Sequence, residues 1–203
     1  ATGHAYTYKE DISLHGDGKT ARFDIPTSLQ MISKLQYRSS VTSTSIHSCG
    51  TTFDETTDTE MVQAVDSKDF KQGGSSLKIT TSAGNDSFIS DSISSLDISG
   101  YTHLEGWVKA TTAIAAGDFN ICLDNATCTG DGNDKETLAV PAASADTWTF
   151  FRVALANPED DTAIISVGIE QHANSGTNTV RFDDLHVVQN DTAIWTKLDK
   201  RAW

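Results

Sequence analysis

The sequence predicts an all-β fold, a sandwich or barrel of antiparallel strands, and three observations carry that prediction. Short segments of alternating apolar residues recur along the 203-residue chain, the spacing of strands with one buried face. Clusters of Ser, Thr, Gly, Asp and Asn separate them, while prolines number only three. Helical spacing is confined to "TSLQMISKLQ" at 27–36, where Leu29, Ile32 and Gln36 share a side and Ser28 can cap; this stretch reads equally as a pair of strands.

The elements follow in order. "HAYTYKEDISLHG" and "KTARFDIP" supply strand-like pieces to an N-terminal arm, and "SSVTSTSIHSCG" at 39–50 breaks the pattern and marks a seam. Beyond it come "SLKIT" at 76–80, "HLEGWVKA" at 103–110, "DFNICLD" at 118–124, "TFFRVAL" at 149–155, "AIISVGIE" at 163–170 and "TVRFDDLHVV" at 179–188. Phe151, Val153 and Leu155 fall on one face, as do Ala163, Ile165, Val167 and Ile169. "KQGGSS", "SAGNDS", "DISGYT", "ANPEDD" and "HANSGTN" carry turn chemistry between them. The closing "QNDTAIWTKLDKRAW" holds two of the four tryptophans, and large apolar rings at a terminus usually dock on their own domain or on a neighbour. The expected organisation is an arm or small β subdomain at 1–45, a sandwich at 46–188 and a docking tail at 189–203.

"VRFDDLHVV" sets two aspartates inside a strand. Strict alternation puts Asp183 with Leu185 and Val187, and Asp184 with Phe182 and His186. A buried, unpaired carboxylate is costly, so such an acid must protonate, accept several hydrogen bonds or hold a cation.

Charge and composition exclude several classes of function. A formal net charge of -13 argues against nucleic acid and against anionic membrane surfaces, both of which are held through Lys and Arg. No apolar run approaches the roughly 20 residues that cross a bilayer, so a soluble protein is expected. The Ala-Thr start fits either loss of an initiator Met or removal of a signal peptide. Cys49, Cys122 and Cys128 are too few and too irregular for a zinc site or a disulfide framework, and Cys122 and Cys128 are either bridged across "CLDNATC" or free. The N-x-S/T triplets at Asn85, Asn125 and Asn190 carry no signal in a chain this rich in Ser and Thr. No enzyme is expected. The 28 acidic residues select no catalytic pair, the six histidines show no H-E-x-x-H or i, i+4 spacing, and neither G-x-S-x-G nor a phosphate-cradling glycine loop occurs. "GDGNDKE" at 130–136 resembles part of a calcium loop, but it lacks the twelve-residue spacing and the closing Glu and reads as a solvated turn.

The series "AVDSKDFKQGGSSLKI", "SLDISGYTHLEGWVKA", "FNICLDNA", "ETLAVPAASADTWTFFRVALANPEDDTAIISVGIE" and "VRFDDLHVV" resembles the carbohydrate-binding-module type of jelly roll, in the version carried by bacteriophage structural proteins. The resemblance covers roughly residues 50–188 and rests on the order of phrases. It implies a two-sheet antiparallel jelly-roll β-sandwich flanked by the arm and the tail. It also implies a structural calcium ion (Ca2+) held by Asp183, with Asp54 or Glu55 near the first strand. The alternative for Asp183 is that it accepts backbone N–H bonds.

Sugar binding by such modules relies on aromatic faces, and Trp107, Tyr101 and Trp148 are the candidate ligand-binding rings, each weighed against a place in the core or at an edge. Trp107 lies opposite Leu104 and Val108, beside Glu105 and Lys109. At 8% the aromatic content is thin for a dedicated glycan binder. The resemblance therefore implies a non-catalytic virion protein, a capsid decoration or a tail or fibre component at the particle surface. Its partners would be other virion proteins and further copies of itself, with weak glycan adhesion. The alternative is a carbohydrate-binding module of a secreted polysaccharide-degrading system. A calcium-dependent bacterial adhesin of the same fold should show tandem repeats or an anchor.

Overall fold

A computed structural model describes residues 36–37, 42–82, 84, 86–130, 132–173, 176–189 and 196–197. The expected arm apart from residues 36–37 and 42–45, the tryptophans of the tail, and Asn85, Asp131 and Asn190 lie outside the described residues. The chain divides into two compact units, residues 1–37 with 195–203, and residues 38–194. In the first, strand β1 (Gln36–Tyr37) pairs antiparallel with β12 (Thr196–Lys197).

The second unit is an antiparallel β-sandwich of jelly-roll type. Its strands are β2 (Ser43–His47), β3 (Met61–Asp66), β4 (Ser76–Thr81), β5 (Ser87–Leu96), β6 (His103–Ala110), β7 (Phe119–Asp124), β8 (Glu136–Ala139), β9 (Thr149–Ala154), β10 (Ile164–Gln171) and β11 (Thr179–Val188). One sheet runs β3-β4-β11-β6-β9, with β2 added beside β11; the other runs β5-β10-β7-β8. Among the described residues the helical content is one 3-10 turn, Pro158–Asp160.

The inner faces seal an aliphatic and aromatic core. Leu77, Ile79, Leu104, Val108, Val180 and Phe182 from the six-stranded sheet meet Ile89, Ile121, Leu123, Val167 and Ile169 from the four-stranded one. Each such side chain contributes about 1.5–3 kcal/mol by leaving water. Phe119 meets Phe182 edge to face, with centroids 6.1 Å apart. Gly106 is the inward residue where β6 must thin. A Cβ there would lie 2.7 Å from Leu185 Cδ2 and 2.9 Å from Phe151 Cζ, so the glycine is what lets these two side chains occupy the core together.

Two bulges correct the alternation read from sequence. In β10 the register slips between Ile164 and Ser166, so Ile164, Val167 and Ile169 are buried while Ile165 stands exposed; Ala163, Ile165, Val167 and Ile169 do not share a face. In β11 the register slips after Asp183, and Asp184 adopts φ 53°. The extra residue lets Phe182, Leu185 and Val187 all face the core, so Asp183 sides with His186 and not with Leu185. Left-handed backbone costs little at Asp, which suits that residue to the bulge.

The expected seam at 39–50 holds a strand. β2 pairs Ser43, Thr44, Ser45 and His47 with Val188, Val187, His186 and Leu185, and Ile46 enters the core. The same edge of β11 is occupied by β4 over Thr179–Phe182, so β4 hands over to β2 at the aspartate pair.

Candidate functional site

The outer face of the six-stranded sheet gathers aromatic and charged side chains that alternate with the core. On β6 the outward residues are Glu105, Trp107 and Lys109; on and just before β9 they are Trp148, Phe150 and Arg152; on β11 they are Arg181, Asp183 and His186. Pairing sets Trp107 between Asp183 and Phe150, and Glu105 between His186 and Arg152.

The 67–75 loop lies across this face, and Asp183 anchors it. Asp183 is fully buried, and its Oδ2 accepts the backbone N–H groups of Lys71 at 2.6 Å and Gln72 at 2.9 Å. Its Oδ1 is buried without a partner. Burial pushes its pKa above the ordinary carboxylate value, against the pull of the two N–H donors. Asp69, in the same loop, accepts bonds from Lys109 Nζ at 2.8 Å and from Trp148 Nε1 at 2.8 Å. The Lys109 bond foremost holds the Asp69 carboxyl below its usual range. Arg181 joins through Asp66, with Nε 3.0 Å and Nη2 2.9 Å from Oδ2.

Two rings then stand at the surface. Trp107 is half-buried and meets Phe150 at 5.3 Å and 64°, so Phe150 is held by its neighbour while 46% exposed. Lys71 Nζ sits 4.3 Å from the Trp107 ring centroid, a cation–π contact. Arg152 and His186 flank the pair, both bonded to Glu105, at 3.0 and 3.1 Å.

Of the sequence-predicted residues, Trp107, Trp148 and Asp183 come together on this face. Tyr101 lies elsewhere, packed on the core with its hydroxyl 2.5 Å from Thr44 Oγ1 on β2. Asp54 and Glu55 lie in the loop before β3 and bond to β5 and β10 of the other sheet. The Asp54 N–H donates to Asp91 Oδ1, while Glu55 accepts hydroxyl bonds from Ser90, Ser166 and Thr127. Burial opposes ionisation of Glu55, but these hydroxyls outweigh it and leave the pKa lowered. Phe150, Lys71 and Asp69 were not picked out from sequence. Phe150 carried a signal, since in "TFFRVAL" the ring next to inward Phe151 must point outward.

Side chains with the chemistry to hold a cation occur in two places. Asp183 Oδ1 is a carboxylate oxygen with no protein donor, as a ligand atom would be. Separately, Asp86, Glu170 and His172 bring one donor atom each within 4.8 Å of one another, the one such group of three among the described residues. Glu170 and His172 are two apart on an extended chain, a spacing that search patterns for helices pass over.

The outer face of the four-stranded sheet is largely occupied by its own loop. Phe88, Cys122 and Cys128 form a small buried cluster there, all three cysteines of the chain being free and buried. A cleft of about 460 Å³ opens beside it, lined by Thr56, Thr57, Asp58, Thr59, Thr127 and Thr129. Its one ring, Phe88, is spent on close contacts with Gly130 and Gly168. The open rings are those of the Trp107 face.

No family model matches the chain, and no curated protein sequence matches it. Solved structures do. The family 11 carbohydrate-binding module of a cellulosomal cellulase of Clostridium thermocellum is similar at TM-score 0.51 and 11% identity, over 74% of this chain and 96% of that one. A family 11 module of the same organism, in complex with a β-1,3-1,4-mixed-linked tetrasaccharide, gives TM-score 0.43 and 13% identity over 64% and 82% of the two chains. A candidate sugar-binding protein of Bacteroides thetaiotaomicron gives 0.45 and 16% over 68% and 86%. At 11% identity the likeness to the first of these is one of fold: the chain has a β-sandwich like that of a carbohydrate-binding module.

Proposed function

We propose that this protein is a non-catalytic glycan-binding β-sandwich whose binding face is the outer surface of the six-stranded sheet. The observation that carries the reading is the exposed Phe150 ring, held edge to face by Trp107 beside Trp148, on a rigid sheet. An open ring offers the apolar face of a sugar a contact that its hydroxyls do not oppose, and flanking Asp, Lys and Arg groups supply hydrogen bonds. The test is retention in affinity electrophoresis through polysaccharide gels. Trp107→Ala and Phe150→Ala should each abolish retention with the melting temperature little changed. A wild-type protein retained by no polysaccharide overturns the reading.

The setting belongs to the same proposal. On a phage particle, as decoration or tail component, many copies would turn weak single contacts into firm adhesion. In a secreted polysaccharide-degrading system the same face would hold substrate for a catalytic partner. Fixed stoichiometry in purified particles supports the first; a monomer held on a polysaccharide column supports the second. We further assign Asp183 as the residue that would hold a structural calcium ion, because its Oδ1 is the buried carboxylate oxygen left open at the loop anchor. An ion bound only by the folded state raises the melting temperature, so a chelator should lower it; identical melts remove the ion.

A further inference from the structure

The charge of the sandwich is distributed unevenly, and the unevenness falls on the proposed binding face. Of the basic residues between positions 42 and 189, Lys68, Lys71, Lys78, Lys109, Arg152 and Arg181 lie on the outer face of the six-stranded sheet or in the loop that crosses it. Lys135 is the exception. In a chain of net charge -13 this leaves the other sheet and the rims acidic.

Three acids of the basic face are already committed to basic partners, and Asp183 is buried beneath the loop on the backbone N–H groups of Lys71 and Gln72. Asp66 takes Arg181, Asp69 takes Lys109, and Glu105 takes Arg152 and His186. Lys71 has no carboxylate partner among the described residues; its ammonium rests over Trp107, beside the exposed Phe150 ring. A cation parked on the Trp107 face, with that ring in turn meeting the open Phe150 ring, is complementary to a ligand that carries both a negative group and an apolar surface. A neutral glycan would leave that ammonium without an opposite charge.

We propose, resting on the glycan-binding reading, that the ligand is an acidic glycan, a chain of carboxylated sugars. A carboxylate pairs with Lys71 Nζ while the sugar ring lies against Phe150 and the edge of Trp107. The protein's overall acidity does not prevent this. At 0.1 M salt the field of distant charges is screened beyond roughly 10 Å, whereas a contact pair at the face is weakened much less and only gradually as salt rises. A charge-assisted bond of this kind is worth roughly tenfold in affinity.

Affinity electrophoresis and calorimetry on the full chain test it, with polygalacturonate, alginate and polysialic acid set against methyl-esterified polygalacturonate and mixed-linkage β-glucan. The expected result is retention by at least one acidic polymer, weakening as NaCl rises. Lys71→Met, which keeps the apolar stem on Trp107, should lower that affinity roughly tenfold, and Lys135→Ala should leave it unchanged. Preference for a neutral polymer, or acidic-polymer binding indifferent to Lys71→Met, overturns the acidic specificity while Trp107-dependent glycan binding survives. Retention by none of the five polymers overturns both.

Discussion

Asp161→Asn should stabilise the protein at neutral pH and do nothing in acid. Asp161 closes the 3-10 turn after β9 and is 3% exposed, with Oδ2 lacking any partner. Its neighbour Glu136, equally buried, accepts the N–H groups of Ala156 at 2.7 Å and Asn157 at 3.0 Å. Burial, and then the Glu136 carboxylate, push Asp161 up to about 6. The folded state therefore holds this proton more tightly than the unfolded chain. The benefit is complete below the unfolded value of 3.8, fades as pH rises, and is gone above about 6. The gap corresponds to at most about 3 kcal/mol that ionised Asp161 costs at pH 7.5. An Asn side chain is uncharged, as protonated Asp is, so much of that cost should vanish. For a domain of this size 1 kcal/mol moves the melting temperature by about 2–4 °C, so a rise of about 4–8 °C is expected at pH 7.5. Thermal melts of both proteins from pH 4 to pH 8 decide it: the curves should meet near pH 4 and diverge above pH 5. A substitution that is neutral at pH 7.5, or equally stabilising at pH 4, would refute the shared-burial account of this pair.

Two further outcomes follow from the packing. Asp183→Ala strands the N–H groups of Lys71 and Gln72 and should cost about 2–4 kcal/mol in chemical denaturation. Asp183→Asn keeps an acceptor and should cost less than half of that in the presence of chelator; if a cation sits on Oδ1, supplying calcium should raise the cost of both variants by the same amount, because it stabilises the wild type alone. Gly168→Ala would put a Cβ 2.2 Å from Phe88 Cζ and 3.2 Å from Cys128 Cβ, so about 1–3 kcal/mol is expected, with part of the loss recovered in Gly168→Ala/Phe88→Leu.

The strands at 103–110 and 179–188 were legible to the residue because strong apolar positions alternate across the whole of the first and on each side of the bulge in the second. β5 was not, although it is ten residues long. It is an edge strand whose outward positions beyond Phe88 are serines, so "SFISDSISSL" reads like a loop. β3 and β8 are also edge strands, and β2 is short and polar except at Ile46. The two bulges defeated alternation for a different reason: one inserted residue reverses every later side chain, and no local composition announced it in "AII" or "FDD". Half of the candidate face was readable, since Trp107 must point away from Leu104 and Val108. The other half was not, because Asp69 and Lys71 reach it from a loop more than thirty residues away in the chain.

The aspartate pair joins these threads. Along one edge of β11 the partner changes from β4 to β2, and the residue inserted there, Asp184, takes up the change through its left-handed backbone. That insertion leaves Asp183 pointing outward beneath the 67–75 loop, while the core regains Leu185 without a gap. The buried carboxylate is costly by itself, which is why two backbone N–H groups are drawn onto it, and those groups belong to the loop that carries Asp69 to Trp148 and Lys71 to Trp107. The acid touches no surface ligand, yet the position of the ammonium over the ring depends on it. A strand irregularity of one residue thereby becomes the device that holds polar groups over an otherwise plain aromatic sheet face.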